Sequence, residues 1–315
     1  MKKIYVILIA ILLLLVIAYT IATFAIKSTN VFPKKVNFAL GVCTHGNESS
    51  ELYALNHGIR YFRTDISNTP EQIKLLYYEH TQGANYLGIL DYSTLPGGIG
   101  NKNWNLSTWN TSVEEAVANY PWINTWEIWN EPYVSNFETG FMNGSAYNYY
   151  LIIKSASTII KEHEPNATVV CFGGAPIGNS NIFYWYAKVW SYGASKYCDA
   201  ISIHAYNTQI NEWNQTLLAY EELTQKPIWV TEIGMPASSR LLAGFSPSLQ
   251  NEFMIQSFDL LNSMKFVKRV YWYDLWGLSD GAQGNDFGLL NLSNPVLEPK
   301  PAWYTFMHFY NLSTH

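Results

Sequence analysis

Two glutamates set the chemistry to look for. The runs Trp126-Glu127-Ile128-Trp129-Asn130-Glu131-Pro132 and Ile228-Trp229-Val230-Thr231-Glu232-Ile233-Gly234 are short, apolar and β-prone, and each delivers a carboxylate at its end. A barrel strand brings a catalytic acid to a rim in this way. Two carboxylates on separate strands suit glycosidic bond cleavage, where one acid protonates the leaving oxygen and a second carboxylate acts opposite it. Other apolar runs also end on polar or special residues: His45, Arg63 with Asp65, Asp91 with Tyr92, Gly173 with Gly174, His204 with Tyr206, and Trp272 with Asp274.

Positioning these groups requires a repeated element. Candidate strands run Val36 to Cys43, Tyr61 to Ile66, Tyr86 to Asp91, Thr125 to Trp129, Thr168 to Phe172, Ala200 to His204, Ile228 to Thr231 and Arg269 to Tyr273. Amphipathic stretches such as Pro70 to Thr81, Ala146 to His163, Ser246 to Met264 and Ala302 to Tyr310 separate or follow them. Thr69-Pro70 and Ser246-Pro247 place Pro in a first helical turn. Alternation of this kind predicts an α/β chain folded as a (β/α)8 TIM barrel, with Glu131 after strand four and Glu232 after strand seven. A doubly wound open sheet is the alternative, but no Gly-x-Gly-x-x-Gly turn follows a strand. The segments Tyr92 to Trp109 and Gly277 to Pro301 read as long rim loops.

The barrel is assigned to residues 36–315, after a segment 1–27 of a different character and a linker 28–35. No charge falls between Lys3 and Lys27, and Ile4 to Phe24 is long enough to cross a bilayer. A cleaved signal peptide has a shorter apolar region, so an uncleaved signal anchor is favoured; Thr20, Thr23 and Ala25 keep cleavage open. Eight Asn-x-Ser/Thr sequons, at Asn47, Asn105, Asn110, Asn143, Asn166, Asn214, Asn291 and Asn311, predict an extracellular, glycosylated barrel, anchored to the membrane or secreted. Of three cysteines, Cys171 and Cys198 could bridge; buried free thiols are the other reading.

With 48% hydrophobic and 14% charged residues among 315, the chain can bury a large core. The net charge of −5, and the absence of basic runs interleaved with aromatics, exclude a nucleic-acid partner. The 12 Trp and 23 Tyr supply flat apolar faces with a polar handle, which suit sugar rings and also fill barrel cores.

Trp129-Asn130-Glu131-Pro132 and Thr231-Glu232-Ile233-Gly234, in this element order, closely resemble the clan A glycoside hydrolases. That resemblance implies retention of anomeric configuration, with Glu131 as acid/base and Glu232 as nucleophile. Arg63 matches the clan's strand-two arginine, which holds the nucleophile; an ion pair with Asp65 is the alternative. Asn130 matches the residue that binds the sugar 2-hydroxyl. His204 and Tyr206 match the strand-six His-x-Tyr, whose tyrosine donates to the nucleophile and whose histidine lies near the acid/base. Trp272 resembles the strand-eight tryptophan that floors the site, with Trp276 as the alternative. The His45-Gly46 end of strand one resembles family 5, whereas Leu90-Asp91-Tyr92-Ser93 lacks that family's histidine and is closer to family 39. A raised pKa on Glu131, caused by the neighbouring Glu232 charge, would suit the acid's role.

No metal or cofactor is expected. His45, His204, Asp65, Asp91 and Asp274 could share a rim, but no His-x-His or His-Glu-x-x-His spacing supports a metal, and no Gly-x-Ser-x-Gly elbow occurs. The expected activity is retaining cleavage within a β-linked polysaccharide or oligosaccharide, with Trp104, Trp109, Trp126 and Trp229 as rim platforms. An exo-acting β-glycosidase such as a xylosidase, and a catalytically inactive carbohydrate-binding barrel, are the alternatives.

Overall fold

The computed structural model describes residues 33–134, 140–206, 209–240, 243–277, 279–280, 284–293 and 296–313. The apolar segment 4–24, read as a signal anchor, lies outside the described residues; among those described, no helix is long and apolar enough to cross a membrane.

Lys35 onward forms one unit. Eight parallel strands close into a barrel: β1 (Ala39–Cys43), β2 (Tyr61–Asp65), β3 (Asn85–Leu90), β4 (Thr125–Ile128), β5 (Thr168–Pro176), β6 (Ala200–Ala205), β7 (Ile228–Ile233) and β8 (Val267–Trp272), with β8 pairing back to β1. Among the described residues, eight α-helices alternate with them: α1 (Glu48–Asn56), α2 (Pro70–Thr81), α3 (Leu106–Asn119), α4 (Ala146–His163), α5 (Ser180–Ser191), α6 (Trp213–Thr224), α7 (Pro247–Ser263) and α8 (Pro301–Leu312). The segment read as a loop after β8 instead carries two short antiparallel hairpins, one pairing Ser279–Asp280 with Asn285–Asp286 and one pairing Leu290–Ser293 with Val296–Pro299.

Local chemistry explains the helix starts. Ser246 Oγ accepts the Leu249 N–H at 3.2 Å ahead of Pro247, and Asn47 and Asn105 Oδ1 accept from Ser50 and Thr108 at 2.9 and 3.0 Å. Two of the eight sequons therefore coincide with helix caps.

Strand alternation sorts side chains between the barrel interior and the helix layer. Low in the barrel, the Arg269 guanidinium lies 4.4 Å over the Trp229 ring and 5.4 Å over Tyr61. Gly41 leaves space for Tyr271, because a Cβ there would come within 2.6 Å of that ring. Cys171 on β5 and Cys198 just before β6 form a disulfide, while Cys43 is a buried free thiol.

A second polar group is buried below the β1–α1 turn. Thr44 Oγ1 donates to Glu51, Gly46 N–H donates to the same Glu51 oxygen at 3.0 Å, and Tyr86 donates to Glu79 at 2.5 Å. Glu51 and Glu79 are both buried, and their carboxyl groups face each other. Burial pushes both carboxyls above the ordinary glutamate range; Glu79 raises Glu51 further, while at Glu79 the bonds from Glu51 and Tyr86 oppose the rise and the Glu48 charge adds to it, so the pair shares a proton. A folded-state pKa above the unfolded one gives stability that is complete below the unfolded pKa and is lost as pH rises through the folded value. Glu79→Gln removes one titration while keeping the shape. Denaturant midpoints measured against pH should show the wild type losing ground to this variant as pH rises; parallel curves would contradict the shared proton.

Candidate active site

Arg63 organises the upper barrel. From the middle of β2 its side chain points inward, where it is buried, and an unpaired guanidinium there would be costly. Nε donates to Glu127 on β4 at 2.6 Å, Nη1 to Glu232 on β7 at 2.6 Å, and Nη2 to Asn130 Oδ1 at 3.0 Å. Burial alone would lower the arginine's pKa, but the charges of Glu127 and Glu232 outweigh it and hold the value well above the usual one. Asp65, the alternative partner considered from the sequence, faces His45 instead, at 3.7 Å.

Glu127 is the residue that sequence reasoning passed over. It is fully buried, and its second oxygen accepts from Thr231 Oγ1 at 2.9 Å. A signal for it exists: a carboxylate in the middle of an apolar strand must find a cation or donor inside the barrel.

Glu232 accepts from Arg63 on one oxygen and from the Tyr206 hydroxyl on the other, at 2.5 Å, so two donors fix its orientation. Burial and the Glu232 charge push the Tyr206 phenol well up, so it remains a donor. The His204 ring lies between the two glutamates, with Nδ1 2.9 Å from Glu131 Oε1 and Nε2 3.5 Å from Glu232 Oε1. Tyr133, directly after the Asn-Glu-Pro motif, donates to Glu131 at 3.3 Å.

The backbone around Glu131 leaves ordinary geometry. Trp129 and Glu131 have φ of 71° and 46°, a left-handed conformation that costs a non-glycine residue about 1–3 kcal/mol. Strand β5 supplies the support: Glu131 N–H donates to Gly173 O at 2.6 Å. A Cβ on Gly173 would come within 2.6 Å of Trp129 O, and one on Gly174 within 2.2 Å of the His204 ring. Glycine at these two positions lets β5 approach both the motif and the histidine.

These groups face a cavity of about 280 Å3. His45, Asp65, Tyr92 and Asn130 form part of its polar wall, and Tyr206, Tyr273 and Phe287 form an aromatic one. The His45 ring meets Tyr273 edge-on, with centroids 5.5 Å apart.

Two expected floors are corrected. Trp272 is fully buried and faces outward against Phe253 and Phe258 of α7, because alternation along β8 sends Tyr271 and Tyr273 inward. Trp276 is half-buried, bridges Leu290 through its backbone and does not line the cavity. Tyr273 lies at the cavity in their stead. Trp104, Trp109, Trp126 and Trp229, read as rim platforms, are all buried; Trp104 and Trp109 pack on Trp129.

Glu131 also differs from expectation. Burial pushes its carboxyl up, but the hydrogen bond and charge of His204, with the Tyr133 bond and Arg63, outweigh burial and leave the pKa below the ordinary glutamate value. The pKa expectation counted only the repulsive neighbour, Glu232; the resemblance had put His204 near the acid/base, and its bond from β6 outweighs that repulsion. Among the described residues no group of His, Cys, Asp and Glu could hold a metal ion.

A closed (β/α)8 barrel with an Asn-Glu-Pro glutamate after β4 and a second glutamate on β7, both at one cavity, is the architecture of a glycoside hydrolase barrel. The model of the glycosyl hydrolase catalytic core matches residues 63–304, and the chain belongs to that family. Among solved structures it is similar to a family 39 glycoside hydrolase from the gut symbiont Bacteroides cellulosilyticus WH2, at 19% identity and a TM-score of 0.65, covering 89% of this chain and 64% of that one. It is also similar to a β-D-glucuronidase of Dictyoglomus thermophilum (15%, TM-score 0.61, 87% and 50%). A β-glucosidase from Thermotoga maritima matches over 88% of this chain and 99% of its own length (12%, TM-score 0.64). The chain thus spans less than two thirds of the first two, and at these identities the likeness is one of fold. No curated protein matches it in sequence.

Two outcomes follow. Trp272→Ala should cost about 3–5 kcal/mol of stability by denaturant titration, as a fully buried aromatic does, and the half-buried Tyr273→Ala should cost less. His204→Leu removes the donor that lowers Glu131, so the Glu131 carboxyl, followed by carbon-13 NMR, should titrate at higher pH than in the wild type.

Proposed function

We propose that the protein is a retaining β-glycosidase that works by double displacement. The observation that carries this reading is the pair Glu131 and Glu232 at one cavity, joined through His204, with Glu232 oriented by Arg63 and Tyr206. Glu131 protonates the glycosidic oxygen while Glu232 attacks the anomeric carbon and forms a glycosyl ester. The leaving alcohol departs, Glu131 accepts a proton from water, and that water breaks the ester with a second inversion. Asn130, held by Arg63, is placed to meet the 2-hydroxyl. An inactive binding barrel would need neither glutamate oriented in this way.

The compact cavity favours an exo-acting enzyme or one that takes short oligosaccharides over internal cutting of a polymer. The tryptophans read as rim platforms are buried, which removes the main argument for internal cutting. Product analysis on a β-linked oligosaccharide series checks this: single sugars released from one end support exo action, and mixed internal fragments oppose it. The apolar N-terminal segment and six sequon asparagines on exposed positions (Asn105, Asn143, Asn166, Asn214, Asn291 and Asn311) support an extracellular location, anchored or secreted.

Glu232→Gln and Glu131→Gln should each lower kcat/KM on an unactivated glycoside by at least about 1000-fold, since each removes a group acting in the transition state. Persistence of wild-type turnover in both would sink the assignment. The acid must carry its proton, and the His204 bond lowers its pKa, so the basic limb of the kcat/KM profile should lie on the acid side of neutrality.

Barrels similar to this one include a β-D-glucuronidase and a β-glucosidase, so this fold accommodates both charged and neutral sugars. Which of the two this cavity takes depends on its own charges.

A further inference from the structure

Among the described residues, each cation in the cavity wall is matched by carboxylates. Arg63 is tied to Glu127 and Glu232 at 2.6 Å each. His45 lies between Asp65 and Asp274, with one ring nitrogen 3.7 Å from each carboxylate, and Asp274 is buried. Burial disfavours the imidazolium, but these two acids, with Glu232 beyond them, raise its pKa to about 9, so the ring is a cation held by a greater negative charge. Glu131 adds a further carboxylate to the cavity wall.

Among the described residues, no other cation lines the cavity to change that balance. Lys300 is buried on Asp286 at 2.5 Å, Arg240 lies along Gly284, and neither lines the cavity. The internal stretches outside the described residues, 135–139, 207–208, 241–242, 278, 281–283 and 294–295, contain no Lys, Arg or His in sequence.

Resting on the glycosidase reading above, we propose that the sugar pocket is built for an uncharged glycone, whose hydroxyls are gripped by His45 and Asp65, with the buried Asp274 holding the His45 ring, and that uronosides are excluded. Hydroxyls donate to carboxylates and accept from an imidazolium, so a neutral sugar satisfies both kinds of group on this wall. A uronate offers only acceptors at its carboxylate, and would be stripped of water beside Asp65, Glu131 and Glu232 without a cation of its own. Asp65 is the specificity-determining residue: it is partly exposed at the cavity and is not bonded to either catalytic glutamate.

Binding of non-hydrolysable glycosides tests this apart from turnover. The full-length chain is titrated calorimetrically with S-linked aryl β-glycosides of glucose, galactose, mannose and xylose, and with the S-linked glucuronide and galacturonide. The best neutral ligand should bind at least about 100-fold tighter than either uronide, as expected when a buried charge is left unmatched. Asp65→Asn should shrink that gap about tenfold, because it removes one of the repelling charges. A uronide that binds as tightly as the neutral sugars, a gap unchanged in Asp65→Asn, or no binding of any neutral ligand would each overturn the proposal. Tight binding of a neutral thioglycoside without cleavage of any O-linked counterpart would instead defeat the glycosidase reading and leave the pocket's preference for uncharged sugars standing.

Discussion

A guanidinium buried inside a barrel is the constraint on which the rest of this site depends. Arg63 cannot stay there alone, because an uncompensated charge away from water is worth several kcal/mol against folding. Its partners come from three elements: Glu127 within β4, Asn130 after β4 and Glu232 on β7. The same contacts that satisfy the cation therefore set the angle at which Glu232 meets the cavity. Glu127 completes the arrangement by accepting from Thr231, the residue before Glu232, so one buried acid steadies both the arginine and the strand that bears the proposed nucleophile.

Around that centre the backbone is bent where function needs it. Left-handed φ values at Trp129 and Glu131 turn the chain out of β4 so that Glu131 faces the cavity. Strand β5 compensates with the irregular run Phe172-Gly173-Gly174, whose register with β6 shifts between Cys171 and Ala175. Gly173 receives the Glu131 N–H, and Gly174 leaves room for the His204 ring, which in turn lowers the Glu131 pKa. Backbone strain, glycine placement and proton affinity are thus linked through two adjacent residues.

Much of this was legible in the chain. The eight strands lie within a few residues of the apolar runs that predict them, and helices at Pro70–Thr81 and Ala146–His163 match their predicted spans. Glu131, Glu232, Arg63, Asn130, Tyr206 and His45 line the cavity, and His204 lies between the two glutamates. The aromatic residues were less legible. Trp272 and Tyr273 are neighbours of similar character, and only the direction of alternation, set by pairing with β7 and β1, decides which faces inward. Glu127 was missed because its partner stands 64 positions away in sequence.

By itself the sequence determined the order of elements and the residue types at strand ends, because hydrophobic period and turn chemistry are local properties of the chain. It also determined which groups are available for acid, base and donor roles. Tertiary structure alone decided that Arg63 pairs with Glu127 rather than Asp65, and that Cys171 bridges Cys198. It likewise decided that Glu131 is lowered rather than raised, and that His45 sits between two aspartates. Each of these depends on distances between residues far apart in the chain. Electrostatic energy varies with such distances and with burial, and neither quantity exists until the barrel closes.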